Sequence, residues 1–206
     1  MPDFDERVAA ARRDVKTCDV AGAVLAGGES RRMGRDKARL RFGGEALWRR
    51  QVRVLREAGA EPVFIVRRDG QPGLGRDVPH VCDTFADAGP LAGLHAALSA
   101  AETAWVAVLA VDMPAVDAAW FRRLKSFCRT GVGAVARHAE GFEPLAAIYP
   151  REALAAVARR LKRNERSLQK LVTALARGRR VRIVRLAEAE LWRMENWNAP
   201  ADRRRG

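Results

Sequence analysis

Val20 to Ala26 is a compact run of apolar and small residues stopped by Gly27-Gly28. A run of this kind fits a strand buried on both faces, as in a parallel sheet covered by helices. Pro62 to Val66 and Trp105 to Val111 repeat the pattern. Between them lie segments with helical spacing. Glu45 to Ala58 carries Leu47, Trp48, Val52 and Leu55 and stops at Gly59, a C-cap signal. Leu91 to Ala101 is a second helix, and Asp117 to Cys128 a third, capped by Asp117. Strands alternating with helices of this length predict an α/β fold: a single Rossmann-like three-layer domain around a mainly parallel sheet.

Downstream, Gly133 to Ala139 and Pro144 to Tyr149 read as strands around a turn at Glu140-Gly141, and Val181 to Leu186 as a last strand. Pro150 is expected to open the helix that follows. Residues 4–16 have the spacing of a short amphipathic helix with Asp3 as its N-cap, and Pro200 opens a short terminal helix. The organisation expected is an N-terminal helical extension over residues 1–19 and one α/β domain over 20–206. In such a sheet, ligands bind beyond the carboxyl ends of the strands, where strand order reverses. The loops after Ala26, Val66, Val81 and Val111 are therefore the places to look for chemistry.

Composition removes several function classes. The longest purely apolar run, Ala104 to Val111, is far shorter than the roughly 20 residues that span a bilayer. The first residues carry acids where a secretion signal would carry bases. Cys18, Cys82 and Cys128 are scattered and odd in number, unlike a disulfide framework or a zinc site. A cytoplasmic location is expected, with no membrane association. Of the net charge of +13, about +10 follows Pro150. The basic stretch from Arg159 to Arg185 lacks the interleaved aromatics that stack on bases, so a solvated face is expected rather than a nucleic-acid site. His80, His95 and His138 are dispersed, with no serine or cysteine placed for a relay.

The loop after the first strand reads Leu25-Ala-Gly-Gly-Glu-Ser-Arg-Arg-Met-Gly-Arg-Asp-Lys37. It is neither the GxxxxGK[ST] phosphate loop nor the GxGxxG dinucleotide fingerprint. It nevertheless has the parts of a polyphosphate cradle. Gly27, Gly28 and Gly34 allow close backbone approach and a nest of amides. Arg31, Arg32, Arg35 and Lys37 put four cations within seven residues, and Lys37 is the leading phosphate contact. Asp112, in Val108-Leu-Ala-Val-Asp-Met-Pro114, follows a buried strand and is turned outward by the nearby proline. A carboxylate there suits Mg²⁺, which takes few carboxylates alongside substrate phosphate oxygens.

The glycine-rich string matches LAGGxSxRMGxDK almost letter for letter. It resembles the loop of the molybdenum cofactor guanylyltransferases, members of a wider nucleoside-triphosphate transferase group. The resemblance runs from about Val20 to Asp202 and implies a nucleotide-diphospho-sugar-transferase type of fold. By this resemblance Leu25, Ala26, Gly27, Gly28, Arg31, Lys37 and Asp112 bind the nucleotide, with Lys37 and Asp112 catalytic and Asp112 the Mg²⁺ ligand. Ala88-Gly89-Pro90-Leu91-Ala92-Gly93 looks like the family's GPLAG loop. Gly89, Pro90, Leu91 and Gly93 are thereby assigned to the base, where small residues leave room for a purine, and Asp83 to the nucleotide. Glu143-Pro144-Leu-Ala-Ala-Ile-Tyr149 and Glu195-Asn-Trp-Asn-Ala-Pro-Ala-Asp202 resemble segments that flank the second substrate. They bring in Pro144, Asn196 and Asn198, the two asparagines facing the pterin or the metal, although Asn198 fits a cap for the helix begun at Pro200 nearly as well.

Three positions depart from the family pattern. Arg67-Arg68 stands where asparagine is common, Glu143 where a neutral polar residue or histidine is usual, and Trp197 where an aliphatic residue is found. The activity implied is transfer of GMP from GTP to molybdopterin, with release of pyrophosphate. Proteins that supply molybdopterin and receive the finished cofactor are implied as partners. A molybdopterin cytidylyltransferase, another small nucleotidyltransferase and a non-catalytic nucleotide-binding module are the alternatives. Gly27-Gly28 speaks against the cytidine-specific relatives, which resemble LAAG at that place. Intact Lys37 and Asp112 speak against a degenerate module.

Overall fold

A computed structural model describes residues 19–27, 37–83, 85 and 88–197. The expected helices at residues 4–16 and after Pro200 lie outside the described residues. Strand β1, Val20–Leu25, is buried at every position. Its side chains alternate between two cores: Ala21, Ala23 and Leu25 face one, Val20 and Val24 the other. Coverage on both faces explains why the run shows no polar alternation.

A glycine hairpin follows the first loop. Strands β2, Arg41–Phe42, and β3, Glu45–Ala46, pair antiparallel. Gly43 and Gly44 between them have φ of 55° and 82°. Positive φ at both central positions is the two-residue turn that matches strand twist. This hairpin claims Glu45 and Ala46, so helix α1 spans Leu47–Glu57 and begins two residues later than its periodicity suggested. Helix α1 ends as expected at Gly59, where the Gly59 and Ala60 amides bond to the Arg56 and Leu55 carbonyls.

The remaining elements are β4, Val63–Arg68; β5, His80–Asp83; α2, Pro90–Ala100; β6, Trp105–Ala110; and α3, Ala118–Phe127. Then come β7, Gly133–His138; β8, Gly141–Pro150; α4, Leu154–Lys162; α5, Leu168–Arg177; and β9, Val181–Arg185. The Asp117 carboxylate caps α3 by accepting from the Trp120 amide at 2.9 Å. Pro150 does not open a helix. It ends β8 and precedes a short 3-10 turn, Arg151–Ala153. Its fixed φ suits a strand end as well as a helix start.

Among the described residues, seven strands form one sheet in the order β5-β4-β1-β6-β8-β7-β9. All neighbouring pairs are parallel except those made by β8, which runs against β6 and β7. Helices α1 and α3 cover the face that carries Val24, Ile65, Leu109 and Ile148. Helices α2, α4 and α5 cover the face that carries Ala23, Val108, Ala147 and Tyr149. The result is the three-layer α/β architecture, with a single strand reversed. No helix among the described residues is long and apolar enough to cross a membrane.

At the β7–β8 register irregularity, a Cβ on Gly133 would sit 2.1 Å from the Ile148 carbonyl oxygen and 2.9 Å from Pro150 Cδ. A backbone oxygen inside a sheet cannot swing aside as a side chain could. Gly133→Ala is therefore expected to cost about 3 kcal/mol, near the top of the overpacking range, read as a lowered midpoint in urea unfolding.

Candidate active site

Strand order reverses between β1 and β6: the chain steps outward from β1 to β4 and β5, then returns to the other side of β1. The crevice beyond the carboxyl ends of β1 and β6 is where α/β sheets of this kind hold ligands. Two of the sequence motifs meet there.

On the β1 side, Leu25 and Ala26 are buried and Gly27 is half-buried. The Ala26 amide donates to the Val66 carbonyl at 2.8 Å, and the Leu25 carbonyl accepts from the Val111 amide at 3.1 Å. Gln71 clasps the exit. Its Nε2 donates to the Ala26 carbonyl at 3.1 Å, while its Oε1 accepts from the Arg68 amide at 3.2 Å. A Cβ on Gly27 would press against Arg68, 3.2 Å from Cγ and 3.3 Å from the backbone nitrogen. Glycine is what lets the chain leave β1 so close to β4. Gly28, Arg31, Arg32, Gly34 and Arg35 lie outside the described residues. The loop re-enters the fold through a 3-10 turn, Lys37–Arg39. Ala38, next to Lys37, is fully buried in the α1-side core together with Leu40.

On the β6 side, Val111, Met113 and Pro114 are buried and Asp112 is half-buried. Three groups hold this turn. Gln51 of α1, fully buried, donates from Nε2 to the carbonyls of Met113 at 2.8 Å and Ala110 at 3.2 Å. Arg50 donates from Nε to the Pro114 carbonyl at 2.6 Å. The Trp197 amide donates to the Asp112 carbonyl at 2.8 Å. The Trp197 ring packs 5.1 Å from Phe42, over which Arg50 also lies. Trp197 thus anchors the C-terminal segment to the Asp112 turn, a structural use of its larger side chain. Asn196, exposed, adjoins that anchor, and Asn198 lies outside the described residues.

The other predicted residues line the same edge of the sheet at larger separation. Gly89, with φ of 60°, precedes α2, whose first turn has no side-chain cap. That leaves backbone amides and a partial positive charge at the helix start. Gly93 packs α2 against β1, since a Cβ there would touch Leu25 Cδ2 at 3.5 Å. Pro90 is exposed. Leu91 is fully buried, so a ligand could meet it only through its backbone. Asp83 ends β5, beyond β4 and two strand spacings, about 10 Å, from β1. Burial pushes its carboxyl above the usual range, Arg68 opposes that, and Asp69 adds to it. Pro144 lies on β8 past its last pairing with β6, and its carbonyl accepts from the buried Tyr149 hydroxyl at 2.9 Å.

His138 is not isolated, as its sequence context suggested. Its Nε2 lies 2.7 Å from Glu143 Oε1, across the β7–β8 hairpin. The Glu140 amide donates to its Nδ1 at 3.2 Å, so Nε2 carries the proton shared with Glu143. Burial raises the Glu143 carboxyl, and His138 pulls it back. The two residues are five apart in sequence and are brought together diagonally by the β7–β8 turn. His80 accepts from the Leu74 amide at 2.9 Å, and His95 stacks edge-on to Phe85 with its pKa lowered by burial. Arg67 donates to the Gln71 carbonyl at 2.5 Å, bracing the same loop that clasps β1.

A concavity lined by Glu102, Thr103, Arg151 and Glu152 lies at the start of β6 and the end of β8, away from the loops that follow β1 and β6. The described residues hold no cluster of three or more acids, histidines or cysteines. A Mg²⁺ ion shared with substrate phosphates does not require one. The single carboxylate of Asp112, on a braced turn at the mouth of the crevice, suits such an ion.

A crevice at a strand-order reversal, with a glycine exit on one lip and a braced carboxylate on the other, defines a nucleotide-handling α/β domain. Residues 22–181 match the model of the MobA-like NTP transferase domain. The chain belongs to that family. A protein of Opitutus terrae named "Probable molybdenum cofactor guanylyltransferase" is 66% identical over 189 residues, covering 90% of this chain and 94% of its own. A "Molybdenum cofactor guanylyltransferase" of Pseudomonas putida is 36% identical over 180 residues, 86% of this chain and 92% of its own. The crystal structure of molybdopterin-guanine dinucleotide biosynthesis protein A from Archaeoglobus fulgidus superposes with a TM-score of 0.67 at 25% identity. That match covers 90% of this chain and 95% of the other.

Proposed function

We propose that this chain is a molybdenum cofactor guanylyltransferase. It transfers GMP from GTP to the phosphate of molybdopterin, forming the molybdopterin guanine dinucleotide and releasing pyrophosphate. The observation that carries this reading is the direct tie between the two lips of the crevice, the 3.1 Å bond from the Val111 amide to the Leu25 carbonyl. It fixes the glycine-rich exit and the Asp112 turn relative to each other. The two near-full-length relatives whose names carry this activity support the choice of substrates. A cytoplasmic setting fits the free thiols of Cys82 and Cys128.

The reaction asks the protein for position and charge, not for a nucleophile. A phosphate oxygen of molybdopterin attacks the α-phosphorus of GTP while the bond from that phosphorus to the β-phosphate bridging oxygen breaks. Pyrophosphate carries the electron pair away. Lys37 and the amides of the glycine loop neutralise the triphosphate. Asp112 holds Mg²⁺, which when bound supplies Lewis-acid polarisation of the phosphates. The uncapped start of α2, Pro90–Ala100, and the small residues Gly89 and Gly93 receive the guanine side of GTP. Asn196, Asn198 and Pro144 receive molybdopterin.

Thermal unfolding with Mg²⁺ and each of GTP, CTP, ATP and UTP at equal concentration tests the nucleotide. At about 100 times its dissociation constant, GTP is expected to stabilise the protein by about 2.7 kcal/mol. For a domain of this size that is a rise of roughly 5–10 °C. A larger rise with CTP would replace guanylyl by cytidylyl transfer, and no rise with any nucleotide would overturn the reading.

A further inference from the structure

Gln51 is the one polar or charged residue among the fully buried core positions described, on the inner face of α1 beside Leu47, Trp48, Val52 and Leu55. Its amide spans the end of β6. Besides the carbonyls of Met113 and Ala110, Nε2 lies 3.5 Å from that of Val111. These carbonyls flank Asp112 on both sides. They fall where β8 no longer pairs with β6, the last partner of β8 on that strand being Leu109. The turn gives the Ala110 and Met113 carbonyls only long backbone bonds, from the Met113 amide at 3.4 Å and the Val116 amide at 3.3 Å, and Gln51 adds a shorter donor to each. The reverse orientation of the amide would set Oε1 against three carbonyl oxygens, so the donor assignment follows from electrostatics.

The chemistry of the donor matters. A lysine or arginine at this position would also satisfy the carbonyls, but it would add a cation beside a carboxylate whose proposed task is to bind one. A carboxamide satisfies them without charge. The geometry points to Gln51 as a positioning residue for metal binding: it sets the backbone on which Asp112 is presented, and touches neither substrate. Its Oε1 has no partner among the described residues, a cost of burial that packing alone would have avoided with leucine or methionine. This inference rests on the reading of Asp112 as the Mg²⁺ ligand.

The test is Mn²⁺ binding in the presence of GTP and without molybdopterin, followed by electron paramagnetic resonance, so that no turnover is needed. Gln51→Met keeps the length and removes the donors. It is expected to weaken Mn²⁺ binding about 10-fold, at the lower end of the losses seen when a group that orients a metal ligand is removed. Turnover should fall in parallel and recover partly at high Mg²⁺, while KM for GTP at saturating metal stays within about twofold. A purely structural role would lower the melting temperature and leave Mn²⁺ affinity at the wild-type value, which would overturn the proposal. Asp112→Asn is run alongside. Wild-type Mn²⁺ affinity in that variant would remove the metal assignment itself, whereas a deficient Asp112→Asn with a normal Gln51→Met removes only the role of Gln51. The side-chain amide signal of Gln51 in ¹⁵N-labelled wild-type protein needs no variant to fold. It is expected to shift on adding Mg²⁺ with GTP, and an unmoved signal would count against the proposal.

Discussion

Asp112→Asn is expected to reduce GMP transfer to molybdopterin by about 10³-fold or more, with a melting temperature within a few degrees of the wild type. The substitution keeps the shape of the side chain and removes its charge. Metal charge stabilisation supplies several kcal/mol to a transition state of this kind, and each 1.36 kcal/mol is a factor of ten in rate. The fold should tolerate the change because the turn is held through its backbone carbonyls. The Asp112 carbonyl takes the Trp197 amide, and Gln51 holds the carbonyls on either side. Steady-state transfer of radiolabelled GMP, with thermal unfolding on the same preparation, separates the two effects. Retention of even a tenth of the wild-type rate would remove Asp112 from the metal site.

The elements legible in the sequence are those whose burial is uniform or strictly periodic. Strands β1 and β6 are covered on both faces, so unbroken apolar runs announce them. Helix α1 buries a clean stripe and ends at Gly59, whose φ of 86° few other residues adopt readily. The hairpin of β2 and β3 was hidden because strands of two residues have no period, and Gly43-Gly44 was its only mark. Pro150 misled because a fixed φ serves a strand end and a helix start alike.

For the site, the two motifs read from the chain do lie at the same strand-order reversal, since the strands before them are adjacent in the sheet. What binds them together was not legible. Gln51 and the carbonyls it holds are about 60 residues apart in sequence. The available hint was a polar residue on the apolar face of a helix. Trp197 looked like a departure from the family pattern, and only its contact with Phe42 gives it a reason. Two arginines of the basic C-terminal half are paired with acids. Arg160 meets Glu165 at 2.7 Å, and Arg193 meets Asp117.

Lys37→Ala is expected to lower kcat by 10²- to 10³-fold, on the scale of losing one preorganised donor aimed at developing charge. The position of Lys37 makes a loss of that size reasonable. It starts the turn Lys37–Arg39, and its neighbour Ala38 is locked in the core. Its backbone is therefore set at the point where the described chain resumes after the glycine-rich motif. If Lys37 acts on charge that builds up as pyrophosphate departs, kcat should fall much further than KM for GTP rises. If it only binds the ground state, KM should rise with kcat nearly unchanged. Lys37→Arg keeps the charge but replaces a compact ammonium with a planar fork, and should recover only part of the rate. Transfer kinetics across a GTP titration distinguish these cases, and an alanine variant within threefold of the wild type in both constants would leave the arginines of the loop as the phosphate contacts.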